Sequence, residues 1–325
     1  MVNRVRRQFL KRVPGAAMLL AAPVLALQSQ FSDASADAFR TIDLDWVDQE
    51  RDRSVPVRLY TPLSMNTPAS TPLVIFSHGI GGSRLGYSYL GTYWASHGFA
   101  SLHVQHIGSD RSIWFGNPFN LVSRLQEAAK EKEALARVQD LRFALTRLLD
   151  TPLGQMIDPS KIIAAGHSYG ANTTLLASGA RVSRDHVPID LSDPRISAAI
   201  VISAPRFYGQ EALPSILQPI QIPTLHITAT EDNINIPGYY SGYEDRIAIF
   251  EAIGSTRKSL AVFDGGSHSM FTDRTNTGGA VLNYQVKEAT QELSVDFMGQ
   301  ILANRESTLE DWARRHESIL SKVVS

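Results

Sequence analysis

A serine, an acid and a histidine stand in this chain where together they could carry acyl transfer. Ser168 lies in Gly166-His167-Ser168-Tyr169-Gly170, after the apolar run Ile162-Ile163-Ala164-Ala165 and before a helix-compatible stretch over residues 171–180. Strand, sharp turn and helix in that order form a nucleophile elbow, whose flanking glycines let the helix pack close and leave the hydroxyl exposed above a sheet. Ser168 is therefore the candidate nucleophile. A serine hydroxyl is a poor nucleophile at neutral pH, so it needs a base to take its proton and a carboxylate to hold that base in the right tautomer.

In a strand-helix architecture these partners follow in the order nucleophile, acid, base, each on a loop at the carboxyl end of a later strand. Residues 222–228 read as a strand that runs into Ala229-Thr230-Glu231-Asp232-Asn233, putting Asp232 just past its end. Asp232 is the candidate acid, with Glu231 as the alternative one residue earlier. Leu260-Ala261-Val262-Phe263 leads into Asp264-Gly265-Gly266-Ser267-His268, a glycine turn with the candidate base, His268, at its tip. None of the other histidines combines that position with that order. His78 and His167 sit beside glycine turns and read as loop braces, and His226 as a packed strand residue. His103 and His106, three apart on one expected strand, point to opposite faces and make a poor metal pair. His97 stands at a helix end, where histidines meet free carbonyls, and His186 and His316 have no strand-to-loop position.

Acyl transfer also needs donors aimed at the developing oxyanion, and removing one typically costs about 3 to 4 kcal/mol of barrier stabilisation. The backbone amide of Tyr169, directly after the nucleophile, is one candidate. The second is the amide of Ile80 in His78-Gly79-Ile80-Gly81-Gly82, where glycines let the backbone turn its N–H groups inward. Two aromatic groups are candidates for a substrate pocket: Trp114 and Phe115, with Phe119, ahead of a long helical stretch, and Tyr239 and Tyr240, with Tyr243, after the acid loop. Buried packing of two insertions accounts for the same residues equally well.

The elements that must position these groups alternate. Residues 41–46 and 55–60 read as an opening hairpin around a charged turn, and 72–77 as a strand buried on both faces. A helix over 87–97 and a strand over 99–106 complete a strand-helix-strand unit. A long helix is expected over 121–149, strands over 196–203, 222–228 and 258–263, and helices around 244–252, 284–304 and 309–323. The expected fold class is α/β, with a mostly parallel central sheet and helices on both faces. Residues 37–325 read as a single catalytic domain with peripheral insertions at about 108–135 and 233–255.

Composition narrows the classes. The chain has 325 residues, 43% hydrophobic and 19% charged, and contains no cysteine, which excludes a disulfide framework, a thiolate metal site and a cysteine nucleophile. The first 36 residues hold five bases (Arg4, Arg6, Arg7, Lys11, Arg12) and one acid (Asp33); without them 26 bases face 31 acids, which gives no footprint for nucleic acid. Residues 1–36 read as an export signal, with a basic start and a mildly apolar run over 13–27 broken by Pro14, Gly15 and Pro23. Arg6-Arg7-Gln8-Phe9-Leu10-Lys11 resembles a twin-arginine motif, and Ala34-Ser35-Ala36 suits cleavage before Asp37. The expectation is an exported bacterial protein, periplasmic or secreted, whose precursor meets the twin-arginine machinery.

With these motifs in place, the sequence resembles the α/β-hydrolase superfamily, and within it exported esterases of the dienelactone-hydrolase-like or platelet-activating-factor-acetylhydrolase-like group. The resemblance spans residues 55–304 and rests on Phe76-Ser77-His78-Gly79-Ile80-Gly81-Gly82-Ser83, Gly166-His167-Ser168-Tyr169-Gly170 and Gly266-Ser267-His268. Dienelactone hydrolases use a cysteine nucleophile, so that activity does not carry over. Acetylhydrolases of the platelet-factor type place their acid soon after the strand that follows the elbow; here no acid follows residues 196–205 before Glu211, and the later Asp232 takes the role. The expected function is a serine-dependent carboxylic ester hydrolase working through an acyl-enzyme on a small-molecule or lipid ester, with neither cofactor nor metal. An amidase, peptidase or acyltransferase would use the same triad, and a non-catalytic binding protein would keep the fold without turnover.

Overall fold

Apolar runs such as Leu73-Val74-Ile75-Phe76 and Ala198-Ala199-Ile200-Val201-Ile202 must be covered on both faces, and they lie among the six parallel strands at the centre of a nine-stranded sheet. The computed structural model describes residues 39–184, 187–207, 212–236 and 238–325. The export signal expected over residues 1–36 lies outside the described residues. The hairpin β1 (Phe39–Asp48) and β2 (Arg53–Pro62) pairs antiparallel, followed by β3 (Thr71–Ser77), α1 (Ser88–Ser96) and β4 (Ala100–Val104). Next come α2 (Leu121–Ala128), α3 (Glu131–Leu149), β5 (Ile157–His167) and α4 (Tyr169–Ala177). A small hairpin of β6 (Arg181–Arg184) and β7 (Val187–Asp190), with no signal in the sequence pattern, precedes β8 (Ile196–Ile202), α5 (Leu213–Leu217) and β9 (Thr224–Glu231). A second hairpin, β10 (Ile234–Ile236) and β11 (Tyr239–Ser241), leads to α6 (Tyr243–Ala252), β12 (Lys258–Ser267), α7 (Ala280–Ala303), α8 (Leu309–Arg315) and β13 (Leu320–Val324).

The sheet order is β1-β2-β4-β3-β5-β8-β9-β12-β13, parallel from β4 through β12 and antiparallel at both ends. Successive side chains of β3 serve opposite faces: Leu73 and Ile75 join a core with Leu141, Leu145 and Leu175 of α3 and α4, whereas Val74 and Phe76 join one with Leu90, Trp94 and Val286 of α1 and α7. Helices thus cover both faces, as the strand-helix alternation predicts.

Two expected helices are corrected. The stretch over 121–149 is two helices, because Lys130 is extended (φ −65°, ψ 152°) between α2 and α3. The buried stripe Val138, Leu141, Leu145 and Leu148, extended backwards at the same spacing, would bring Glu131, Glu127 and Arg124 to the core, so the chain turns away instead. The helix expected over 309–323 ends at Arg315. Residues 320–324 form β13, whose β-branched Val323 and Val324 pair with Ala261 and Leu260 along the edge of β12.

Candidate active site

The turn after β5 is built by close approach. A Cβ on Gly166 would lie 2.2 Å from the Gly170 carbonyl oxygen, and one on Gly170 only 1.9 Å from that of Ser77, so α4 can cross the ends of β3 and β5 only with glycine at both places. Between them Ser168 is held at φ 56°, ψ −126°, a conformation L-residues rarely adopt, with its N–H bonded to the Ile202 carbonyl of β8 at 2.9 Å.

Ser168, Asp232 and His268, 36 to 100 residues apart in pairs, meet in one hydrogen-bonded chain. The imidazole Nε2 of His268 lies 2.8 Å from Ser168 Oγ, and its Nδ1 lies 2.6 Å from Asp232 Oδ1. An ionised carboxylate only accepts, so Nδ1 carries the proton and Nε2 is free to accept from the serine hydroxyl. Asp232 is fully buried past the end of β9, and Thr228 Oγ1 donates to its Oδ2 at 2.7 Å. Burial works against its charge. The positive charge His268 acquires on protonation, the His268 hydrogen bond and the Arg246 guanidinium outweigh that and hold the carboxyl far below the usual range. Glu231, the alternative acid, is the exposed last residue of β9 and lies outside this chain of bonds.

The loop at residues 78–82 faces the same elbow: a Cβ on Gly79 would lie 3.2 Å from that of Ser168. The amides of Gly79, Gly81 and Gly82 are bonded to Tyr87 Oη, the Ser109 carbonyl and the Gly79 carbonyl. Among the described residues nothing accepts from the amide of Ile80, and Tyr169, at the first position of α4, has an amide that the helix itself cannot satisfy. The two backbone donors named from the sequence are thus the uncommitted ones.

Behind the site runs a brace that spacing along the chain does not reveal. Tyr87, at φ 58°, accepts from the Gly79 amide at 3.2 Å and meets His167 Nδ1 at 2.8 Å, while His167 Nε2 meets the His268 carbonyl at 3.1 Å. A carbonyl only accepts, so His167 is protonated at Nε2 and its Nδ1 accepts from the Tyr87 hydroxyl. Burial, reinforced by the nearby His268, pushes the His167 pKa well down and keeps the ring neutral. His78, also fully buried, donates from Nδ1 to the Gly79 carbonyl at 2.7 Å and accepts at Nε2 from the His106 amide at 3.1 Å. The buried Arg137 of α3 binds the His78 carbonyl, Ser109 and Thr173, and its guanidinium lies 4.6 Å from the centre of the Tyr169 ring. Next to it, Asp140 receives Arg51 from the β1–β2 turn and Arg53 from the start of β2, and meets His106 Nδ1 at 3.2 Å. His106 lies beyond the end of β4, and its Nε2 is bonded to Ser77 Oγ.

Of the aromatic pocket candidates, Trp114 stands on the loop at 78–82. Its Nε1 donates to the Gly81 carbonyl at 2.7 Å and its ring fills the space where a Gly81 side chain would be. Phe115 is exposed beneath Arg111, Tyr239 donates to the Arg206 carbonyl at 2.9 Å, and the exposed Tyr240 meets Asn233 Oδ1 at 3.3 Å. The contacts of Arg246 and Thr228 with Asp232, and of Tyr87 with the loop at residues 78–82, have no counterpart in the sequence pattern. The one available signal for Arg246 is a basic residue on the inward side of α6, three before the buried Ile249.

Comparison with known proteins follows this geometry. The family model described as "Platelet-activating factor acetylhydrolase, isoform II" matches residues 51–139. Platelet-activating factor acetylhydrolase of Cavia porcellus is 23% identical over 278 residues, covering 74% of this chain and 58% of that protein. The Bos taurus protein of the same name is 33% identical over 152 residues, covering 35% of this chain and 34% of its own. The chain therefore spans less than two thirds of the length of these curated relatives. Among solved structures, ferulic acid esterase from Streptomyces cinnamoneus aligns with a TM-score of 0.65 at 21% identity, covering 89% of this chain and 98% of that one. A cold-adapted esterase from an Arctic intertidal metagenomic library aligns with a TM-score of 0.51 at 17% identity, covering 79% and 97%. The fold is that of the α/β-hydrolases, and the sequence resembles the platelet-activating factor acetylhydrolases within it.

Proposed function

We propose that this α/β-hydrolase-fold chain is a serine-dependent carboxylic ester hydrolase acting through an acyl-enzyme. The observation that carries the reading is the unbroken chain from Ser168 Oγ through His268 to the buried Asp232, at 2.8 and 2.6 Å. Ser168 attacks the ester carbonyl as His268 Nε2 takes its proton. The C–O bond to the leaving alcohol then breaks as His268 returns that proton. Water, deprotonated by the same nitrogen, attacks the acyl-enzyme, and His268 returns that proton to Ser168 Oγ as the bond to it breaks and the acid is released. The amides of Ile80 and Tyr169 receive the oxyanion in both steps. The similar proteins bear names for acetyl-ester and ferulic-ester chemistry, which supports a carboxylic ester as substrate class.

The test is hydrolysis of p-nitrophenyl acetate and its longer-chain homologues by the wild type and by Ser168→Ala, with labelling by a serine-directed fluorophosphonate. Loss of both activity and label in a folded Ser168→Ala protein supports the reading. Hydrolysis that survives the substitution overturns it.

A further inference from the structure

We infer that Arg246 sets the pH at which His268 becomes available as a base, by offsetting the charge of Asp232 at the same carboxylate oxygen that the histidine uses. The inference rests on the triad reading above.

Arg246 projects from α6, in the segment after β9, and is 3% exposed. Its Nη2 lies 3.3 Å from Asp232 Oδ1, the same oxygen that His268 Nδ1 approaches at 2.6 Å. The guanidinium is held there. Its Nη1 donates to Ser241 Oγ and to the Gly242 carbonyl at 2.9 Å. Ser241 is itself fully used, accepting from Arg246 and from the Arg206 amide at 3.0 Å and donating to Asp245 Oδ2 at 2.9 Å.

A buried carboxylate facing an imidazole, with nothing else to balance it, stabilises the imidazolium and draws a proton to the ring at higher pH. Here a permanent cation bonds to the very oxygen that pulls on Nδ1–H, so part of that pull is spent. The other groups around the pair do not substitute for it. Thr228 gives Oδ2 a neutral hydroxyl, and the His167 ring, 4.7 Å from that of His268, stays neutral. Asp245 is engaged by Ser241 and the Gly242 amide, and Glu231 and Asp264 are exposed. Arg246 is thus a positioning residue for charge, acting on the base through the acid.

The experiment is kcat/KM for p-nitrophenyl acetate from about pH 4 to about pH 9 in wild type, Arg246→Gln and Arg246→Lys. In Arg246→Gln the acidic limb is expected to move up by about one pH unit, so activity on that limb falls roughly tenfold while the alkaline plateau changes far less. Arg246→Lys keeps the charge and is expected to keep the limb near that of the wild type. A plateau that drops in Arg246→Gln with the limb unmoved would make Arg246 a merely structural residue and overturn the inference. If Arg246→Gln does not fold, Ser241→Ala releases the guanidinium instead; it should move the limb in the same direction by less, and an unmoved limb is the overturning result. The NMR titration of the His268 ring, read in the Ser168→Ala background with and without Arg246→Gln, needs no turnover. An unchanged midpoint there sinks the inference, whereas wild-type hydrolysis independent of Ser168 sinks the functional reading alone.

Discussion

The Tyr87 hydroxyl and His167 Nδ1 lie 2.8 Å apart, and through them the amide of Gly79 in the loop at residues 78–82 is tied to the backbone of His268, the proposed base. Tyr87→Phe keeps the ring packed on Phe76, 4.7 Å away between centroids, and removes only the hydroxyl. Two buried polar groups then lose their partner, at about 1 to 3 kcal/mol. Steady-state kinetics should register a fall in kcat of roughly tenfold with KM nearly unchanged, because the loss bears on alignment and not on binding. An equal rise in KM would contradict this.

Gly170 offers a test of the elbow that needs no substrate. Alanine there would drive its Cβ to 1.9 Å from the Ser77 carbonyl oxygen, a backbone atom at the centre of the sheet that cannot step aside. Overpacking of this kind costs about 1 to 3 kcal/mol, and more where backbone must move. Gly170→Ala should therefore lower the urea midpoint sharply or fail to accumulate as folded protein. A midpoint within error of the wild type would mean that α4 does not cross β3 so closely.

The two candidate acids separate cleanly by mutation. Asp232→Asn removes the carboxylate that fixes the His268 tautomer, and hydrolysis at neutral pH should fall by on the order of a thousandfold to ten-thousandfold. Glu231→Gln, at an exposed residue, should stay within about twofold of wild type by the same assay. The reverse pattern would transfer the role to Glu231.

Five buried histidines (His78, His103, His106, His167 and His226) have their pKa values pushed down, chiefly by burial, His103 and His226 to about 3. The unfolded chain binds a proton on each below about pH 6.5, and the folded chain refuses it. Stability is therefore full above that pH and lost as pH falls below it, by about 1.4 kcal/mol per pH unit for a histidine that stays neutral in the fold, down to about pH 3 for His103 and His226. Urea midpoints measured from neutral to mildly acid pH should decline steeply, and His226→Gln should lessen the slope by one proton's worth. A flat profile would mean that these rings are solvated.

What could be read from the chain was whatever has a local cause. Gly166 and Gly170 around Ser168, the apolar run of β3 and the glycine turn before His268 each carry their own structural reason, so the elbow, the sheet centre and the three residues that meet in one hydrogen-bonded chain were legible. The failures came where a distant neighbour decides. Residues 121–149 are helix formers throughout, and only the register of α3 on the sheet breaks them at Lys130. Val323 and Val324 turn from helix to strand because β12 has an edge to cover. Arg246 reaches Asp232 from an element whose sequence gives no hint of where α6 will lie.

The segment between β9 and β12 that carries β10, β11 and α6 bears on redesign. Segments of this kind invite exchange between relatives as a way of transplanting substrate preference. In this protein such a graft would also withdraw the cation beside Asp232, so a chimera could differ in its working pH before any difference in specificity was tested. A donor segment would have to bring its own guanidinium to the same carboxylate oxygen, so under the role proposed for Arg246 this segment is not an interchangeable accessory.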